Sequence, residues 1–257
     1  MKERNIKLVV EYDGTAYAGW QIQPGQSTIQ GQLTQAIKNV TGQDVKVIGA
    51  GRTDAGVHAI GQVANFRIQH SLPGERFAPA VNYYLAPDIR VQTSVDVPWE
   101  FHARFDALSK RYRYLIGPAG SALYRHRRWC QTGALDFEKL TAAAGMLLGE
   151  HDFAPFCVVS SLKEDNRCRI EHSRWFRLGP LLIFEIRGNR FLHNMVRSLV
   201  GGMVNLATNR PTDNIQNLTL ESFQDIIKSP EGQRVVFTAP AAGLYLVSVK
   251  YREGKSQ

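Results

Sequence analysis

Asp54 is the carboxylate in this chain whose surroundings fit chemistry better than packing. It lies in Gly49-Ala50-Gly51-Arg52-Thr53-Asp54-Ala55-Gly56-Val57-His58-Ala59, where Arg52, Thr53, Asp54 and His58 crowd among three glycines. Four such polar side chains together do not make a core. The glycines permit positive φ and close backbone approach, so the segment reads as a strand end, a tight loop and a return strand. That loop would hold one carboxylate, Asp54, beside one guanidinium, Arg52. Asp-Ala-Gly is equally the composition of a turn whose carboxylate caps backbone amides, and spacing alone leaves both readings open.

The elements that would hold this loop are legible on either side. Val45–Ile48 reads as the incoming strand and Gly61–Ile68 as the return. Ile6–Tyr12 is a strand ending in Asp13-Gly14, and the aromatic, glycine-punctuated Thr15–Gln21 follows it. Ser27 or Thr28 caps a helix to about Val40, with Ile29, Leu33, Ile37 and Val40 on one face. A helix from Glu75 to Leu85 and a strand from Ile89 to Val97 complete a first half. In Lys110-Arg111-Tyr112-Arg113-Tyr114-Leu115-Ile116, period two puts both tyrosines on one face and Arg111 and Arg113 on the other. Tyr124–Trp129 gathers three arginines and a histidine between aromatics, a candidate phosphate contact or a solvated loop. Further on come a helix from Asp136 to Leu148, a hairpin of Arg169–Leu178 and Leu181–Arg187, and a helix beginning near Asn189. That last helix would align Arg190, His193, Asn194 and Arg197 opposite an apolar stripe, with Gly201-Gly202 open to backbone contact. A helix from Leu220 to Lys228 and a strand from Leu244 to Tyr251 close the chain. The expected fold is α+β: two similar halves, 1–106 and 107–257, each an antiparallel sheet with flanking helices.

Composition narrows the partners. The 257 residues carry 31 Lys and Arg against 23 Asp and Glu, a formal charge of +8, and favour an anionic partner. At 44% hydrophobic and 21% charged the chain is globular, not disordered. No apolar run approaches the roughly 18 residues of a membrane span, and the N-terminus does not read as a signal peptide, so nucleic acid is preferred over membrane. Cys130, Cys157 and Cys168 have no metal-ligand spacing and fit a reduced, cytoplasmic protein in which each cysteine is a small buried hydrophobe. Walker A, GxGxxG, HExxH, GxSxG and zinc-deaminase patterns are absent, which leaves a cofactor-free reaction.

Gly51–Ala59 is similar to the signature segment of the tRNA pseudouridine synthase A (TruA) family. Glu11–Gln21 resembles that family's opening segment, Lys110–Tyr114 its second signature, Phe191–Arg197 its third and Gly243–Val247 its closing one, in the same order. The resemblance implies an enzyme that isomerises uridine to pseudouridine in tRNA, at positions 38, 39 and 40 of the anticodon arm, without a cofactor and as a homodimer. It makes Asp54 the catalytic nucleophile; whether the carboxylate attacks sugar or base, or takes a sugar proton, stays open. By the same correspondence Arg197 is the active-site arginine that pairs with the aspartate, Tyr112 stacks on the target base, Arg52 helps extrude the nucleotide, and Leu244 lines the pocket. His58 is assigned a supporting role in the loop. Arg125–Arg128 and Arg190–Arg197 are the candidate phosphate contacts. Two other readings are an RNA-binding protein without catalysis and the same enzyme aimed at another tRNA position.

Overall fold

A computed structural model describes residues 2–208, 218–231, 234–235 and 237–252. In chain order the main elements are β1 (Arg4–Tyr12), α1 (Ile29–Thr41), β2 (Ile48–Gly49), β3 (His58–Ile68), α2 (Phe77–Asn82), β4 (Ile89–Val97), β5 (Ser109–Pro118), β6 (Trp129–Gln131), α3 (Phe137–Met146), β7 (Gly149–Asp152), β8 (Arg167–Leu178), β9 (Leu181–Gly188), α4 (Met195–Ala207), α5 (Leu220–Lys228) and β10 (Leu244–Lys250). The class is α+β. Two compact units form: one runs to Lys110 and resumes at Tyr245, the other is Arg111–Leu244. The sequence division at 106/107 kept the last strand with the second half. Here it lies in the first unit, because Tyr245 and Leu246 pair in parallel with His58 and Ala59 of β3.

In the first unit the strand order is β4-β1-β3-β10, with β2 on β3. Alternation in β1 buries Ile6, Leu8, Val10 and Tyr12 on one face. The opposite face packs Val9, Val63, Val97, Phe101, Ala103 and Tyr251. Helix α1 starts where expected: the Thr28 side chain accepts from the Gly31 amide, and Ile29, Leu33, Ala36 and Ile37 are buried. Its end is set by Gly42 at φ 72°. The helix expected over Glu75–Leu85 is shorter, a 3-10 turn at Gly74–Arg76 followed by α2. Asn82 ends it by spending its amide on both backbone groups of Val91. The strand expected over Val45–Ile48 makes ladder bonds only at Ile48–Gly49.

In the second unit the order is β5-β9-β8-β7, with β6 parallel to β5. The sheets are therefore mixed rather than wholly antiparallel. Tyr112, Tyr114 and Ile116 are buried on one face of β5, as period two requires. On the other face Arg113 donates to buried Glu185 at 2.7 Å. Burial alone would raise the Glu185 pKa; the Arg113 hydrogen bond and the charges of Arg113, Arg111 and Arg174 outweigh it and lower it. Helix α3 is capped by Asp136, α5 by a Thr219/Ser222 capping box. In α4 a Cβ on Gly201 would strike the Phe237 carbonyl, and one on Gly202 would crowd the Phe223 ring. Cys157 and Cys168 are buried, and burial pushes the Cys168 thiol up to about 11, as suits packing residues. Among the described residues no helix is long and apolar enough to cross a membrane.

Candidate active site

The Asp54 loop is fastened at almost every residue. The Ala50 amide bonds to the Val63 carbonyl at 2.7 Å, and Gln62 Nε2 donates to the Gly51 carbonyl at 2.9 Å. Thr53 Oγ1 lies 2.8 Å from the hydroxyl of Tyr12, and the Thr53 carbonyl accepts from the Trp20 amide at 3.0 Å. Burial pushes the Tyr12 phenol up to about 12, so it stays a neutral partner. After Asp54 the chain turns tightly: the Val57 amide reaches back to the Asp54 carbonyl at 3.1 Å, and Gly56 sits at φ 75°. Asp54 is half-buried at the crest.

The support comes from Asp13–Trp20, part of the stretch that resembles the family's opening segment and reads from its residues as an aromatic loop. Its own place is fixed by α1, whose first amides, Ile29 and Gln30, donate to the Gly19 and Trp20 carbonyls at 3.1 and 3.0 Å. Gly14 lies directly on the Val57 carbonyl. Gly19, at φ 89°, lies so close to the turn that a Cβ would meet the Thr53 carbonyl oxygen at 2.6 Å and the Asp54 carbon at 3.0 Å. Trp20 in turn lies on Gly49. Gly19→Ala therefore forces either a disfavoured φ or a displaced catalytic loop. The expected outcome is a loss of about 1–3 kcal/mol in stability and a larger fall in activity per folded molecule, read by thermal melting beside turnover.

His58 is buried at the start of β3. Its Nδ1 accepts from the Gly14 amide at 3.1 Å, with Asp13 Oδ1 at 3.2 Å, and its ring stacks on Tyr245 at 4.7 Å. A ring nitrogen facing an amide donor is an acceptor, so His58 fastens the Gly14 turn to the loop. Arg52 is exposed, its Nε donating to Gln21 Oε1 at 3.1 Å. Lys110, which sequence reasoning passed over, lays its side chain across Gly51, and burial together with nearby Arg104 lowers its pKa.

In the second unit Arg197 and Tyr114 both bond to one segment, 239–244, which ends on Leu244. Arg197, in the first turn of α4, donates from Nε to the Ala239 carbonyl at 2.8 Å and from Nη1 to Asn194 Oδ1 at 3.0 Å. The Ala239 amide answers to the Arg197 carbonyl at 3.1 Å. Tyr114 donates its hydroxyl to the Pro240 carbonyl at 2.7 Å, and Gly243 passes over the Tyr114 ring. Leu244 follows, 5% exposed, and Tyr112 lies two residues before Tyr114 on the same buried face, its ring edge-on to Phe191 at 5.1 Å. The helix expected from Asn189 begins at Met195. Asn194 takes the left-handed conformation at φ 63°, and Asn189 spends its side chain on the Arg169 and Arg190 amides. Arg190 and His193 therefore do not share a helical row with Arg197. Arg190 binds the Asp165 carbonyl, His193 meets Ser161, and Arg125–Arg127 stand exposed in a turn.

A family model described as tRNA pseudouridine synthase matches residues 8–106 and 143–252. The chain belongs to this family. The matched spans take in Arg52, Asp54, Arg197 and Leu244, while Tyr112 lies between them. A tRNA pseudouridine synthase A of Acetivibrio thermocellus is 44% identical over 250 residues, covering 96% of this chain and all of that one. Proteins of the same name are 40% identical in Chlorobium luteolum, over 96% of each chain, and 38% identical in Geobacter sp. (strain M21), over 97% of this chain and all of that one. Among solved structures, one titled as a Cbf5-Nop10-Gar1 complex superposes at TM-score 0.35 and 11% identity, over 77% of this chain and 53% of its own, too loosely to compare in detail. As a pseudouridine synthase the chain is an isomerase.

Proposed function

We propose that this pseudouridine synthase converts uridine to pseudouridine at positions 38, 39 and 40 of the tRNA anticodon arm, with Asp54 as the nucleophile. The N1–C1′ bond breaks, the freed base turns, and a C5–C1′ bond forms. The C5 hydrogen leaves as a proton and N1 gains one, so atoms balance within the RNA and no cofactor is called for. Asp54 attacks the sugar or the base; Tyr112 stacks on the target base, Arg197 supplies positive charge in the active site, Arg52 helps extrude the nucleotide, and Leu244 lines the pocket. The enzyme works as a homodimer, one tRNA touching both subunits. The observation that carries this reading is the family match across nearly the whole fold, which brings with it Asp54 on a loop fixed from both sides.

Unmodified tRNA transcripts with uridine at 38, 39 or 40 test the target. After incubation, carbodiimide treatment and primer extension should give stops one nucleotide 3′ of those positions and nowhere else. Stops only elsewhere would retain the reaction and overturn the site; bound tRNA without any stop would favour the RNA-binding reading.

A further inference from the structure

The turn Phe101–Asp106 is built more firmly than its surface position requires. The Ala103 amide donates to buried Asn65 Oδ1 at 2.9 Å, and the Ala103 carbonyl accepts from the Tyr251 hydroxyl at 2.6 Å. Asn5 Nδ2 donates to the Phe101 carbonyl at 2.8 Å. Above this base His102 Nδ1 accepts from the Arg104 and Phe105 amides, both at 3.2 Å, while the His102 amide donates to Asp106 Oδ2 at 2.8 Å. Every one of these bonds serves a turn whose crest is Phe105, a ring 76% exposed to solvent. The ring is also fixed in orientation, lying on the His102 imidazole at 4.3 Å with planes 30° apart. A large exposed aromatic held rigid from below loses little entropy when something flat covers it.

Its neighbours say what should cover it. Arg104 lies over one edge of the ring, 5.7 Å from its centre. Lys110 reaches the catalytic loop, where a Cβ on Gly51 would stand 3.2 Å from its Cε, three residues before Asp54. Arg104 is near enough to help lower the Lys110 pKa. An exposed π-face with a guanidinium over it is the combination that takes an unpaired nucleobase, and a further cation close by in the chain suits its phosphate. A second copy of the chain would bring the same positive charges onto this face, which disfavours it.

We propose that Phe105 is a stacking platform for an unpaired base beside the extruded uridine, with Arg104 and Lys110 binding the adjoining phosphates. The inference rests on the pseudouridine synthase reading for which RNA is bound, and it is separable from it by measuring binding alone.

The test is the Kd for an unmodified tRNA transcript at one fixed salt concentration, with thermal melting to confirm the fold. Phe105→Ala should weaken binding roughly 5- to 150-fold, the range of a lost base stack. Phe105→Tyr should stay within about threefold of wild type, and Phe105→Leu, apolar but without a π-face, should fall with the alanine variant. Equal Kd for Phe105→Ala and wild type overturns the platform. Recovery by leucine as full as by tyrosine reduces it to apolar packing and also overturns it. A smaller sedimentation coefficient for Phe105→Ala with unchanged Kd would make the ring a contact between copies instead. Tritium release from tRNA labelled at C5 of uridine, measured on the wild type, reports on the reaction independently of all three variants.

Discussion

Asp54→Asn should reduce isomerisation by at least about 10⁴-fold while leaving tRNA affinity within about threefold of wild type. The magnitude follows from what an amide lacks. It keeps the shape and one oxygen of the carboxylate but is no nucleophile, and removing the nucleophile of a preorganised site costs on that order. The selectivity follows from the loop. Its fastenings include the Ala50, Gly51 and Thr53 backbone, the Thr53 hydroxyl, the turn from Asp54 to Val57, and the close approaches of Gly14 and Gly19. An asparagine inherits all of them, so the loop should keep its form. Single-turnover rates with enzyme in excess, beside Kd by filter binding, check both halves. A variant as active as wild type would remove Asp54 from the chemistry.

Arg197→Met should lower kcat by about 10²–10³, corresponding to ~3–4 kcal/mol of lost electrostatic stabilisation. The guanidinium also has structural duties that set the form of the test. Its bonds to the Ala239 carbonyl and Asn194 Oδ1 hold the 239–244 segment against α4, and a charged hydrogen bond of this kind contributes ~1.5–3 kcal/mol. The variant should therefore melt several degrees lower as well. Activity is to be expressed per folded molecule, below the melting transition. Arg197→Lys should restore charge but little activity, since one ammonium lacks the planar fork that spans both acceptors. If turnover per folded molecule is unchanged in both variants, Arg197 only staples the fold.

The fold was legible wherever one face of an element is apolar and its ends are chemically marked. Helix α1 runs from its Thr28 cap to Gly42, α5 occupies its expected range, and the β8–β9 hairpin turns at Gly179-Pro180. The start of α4 was not legible. Arg190, His193 and Asn194 keep helical spacing with Arg197, but polar residues at that spacing carry no burial energy to enforce a helix. Local bonds from Asn189 and the left-handed Asn194 prevailed. The parallel partnership of β10 with β3 was hidden for a different reason, since pairing across almost the whole chain leaves no local mark. At the site, the cluster around Asp54 announced itself by composition. What fastens it did not: Gln62, Tyr12 and Lys110 are ordinary residues in ordinary strands, and only the fold brings them to Gly51 and Thr53. Gly19 was visible as punctuation, yet its contact with the Thr53–Asp54 backbone appears only in three dimensions.

The most direct measurement is tritium release from tRNA labelled at C5 of uridine, comparing wild type with Asp54→Asn at equal folded concentration. Forming the C5–C1′ bond must expel the C5 hydrogen. The account predicts release by the wild type, up to one tritium per target uridine in intact tRNA, and none above background from the variant. Wild-type protein that binds the tRNA and releases nothing, or a variant that releases as fast as wild type, would contradict it.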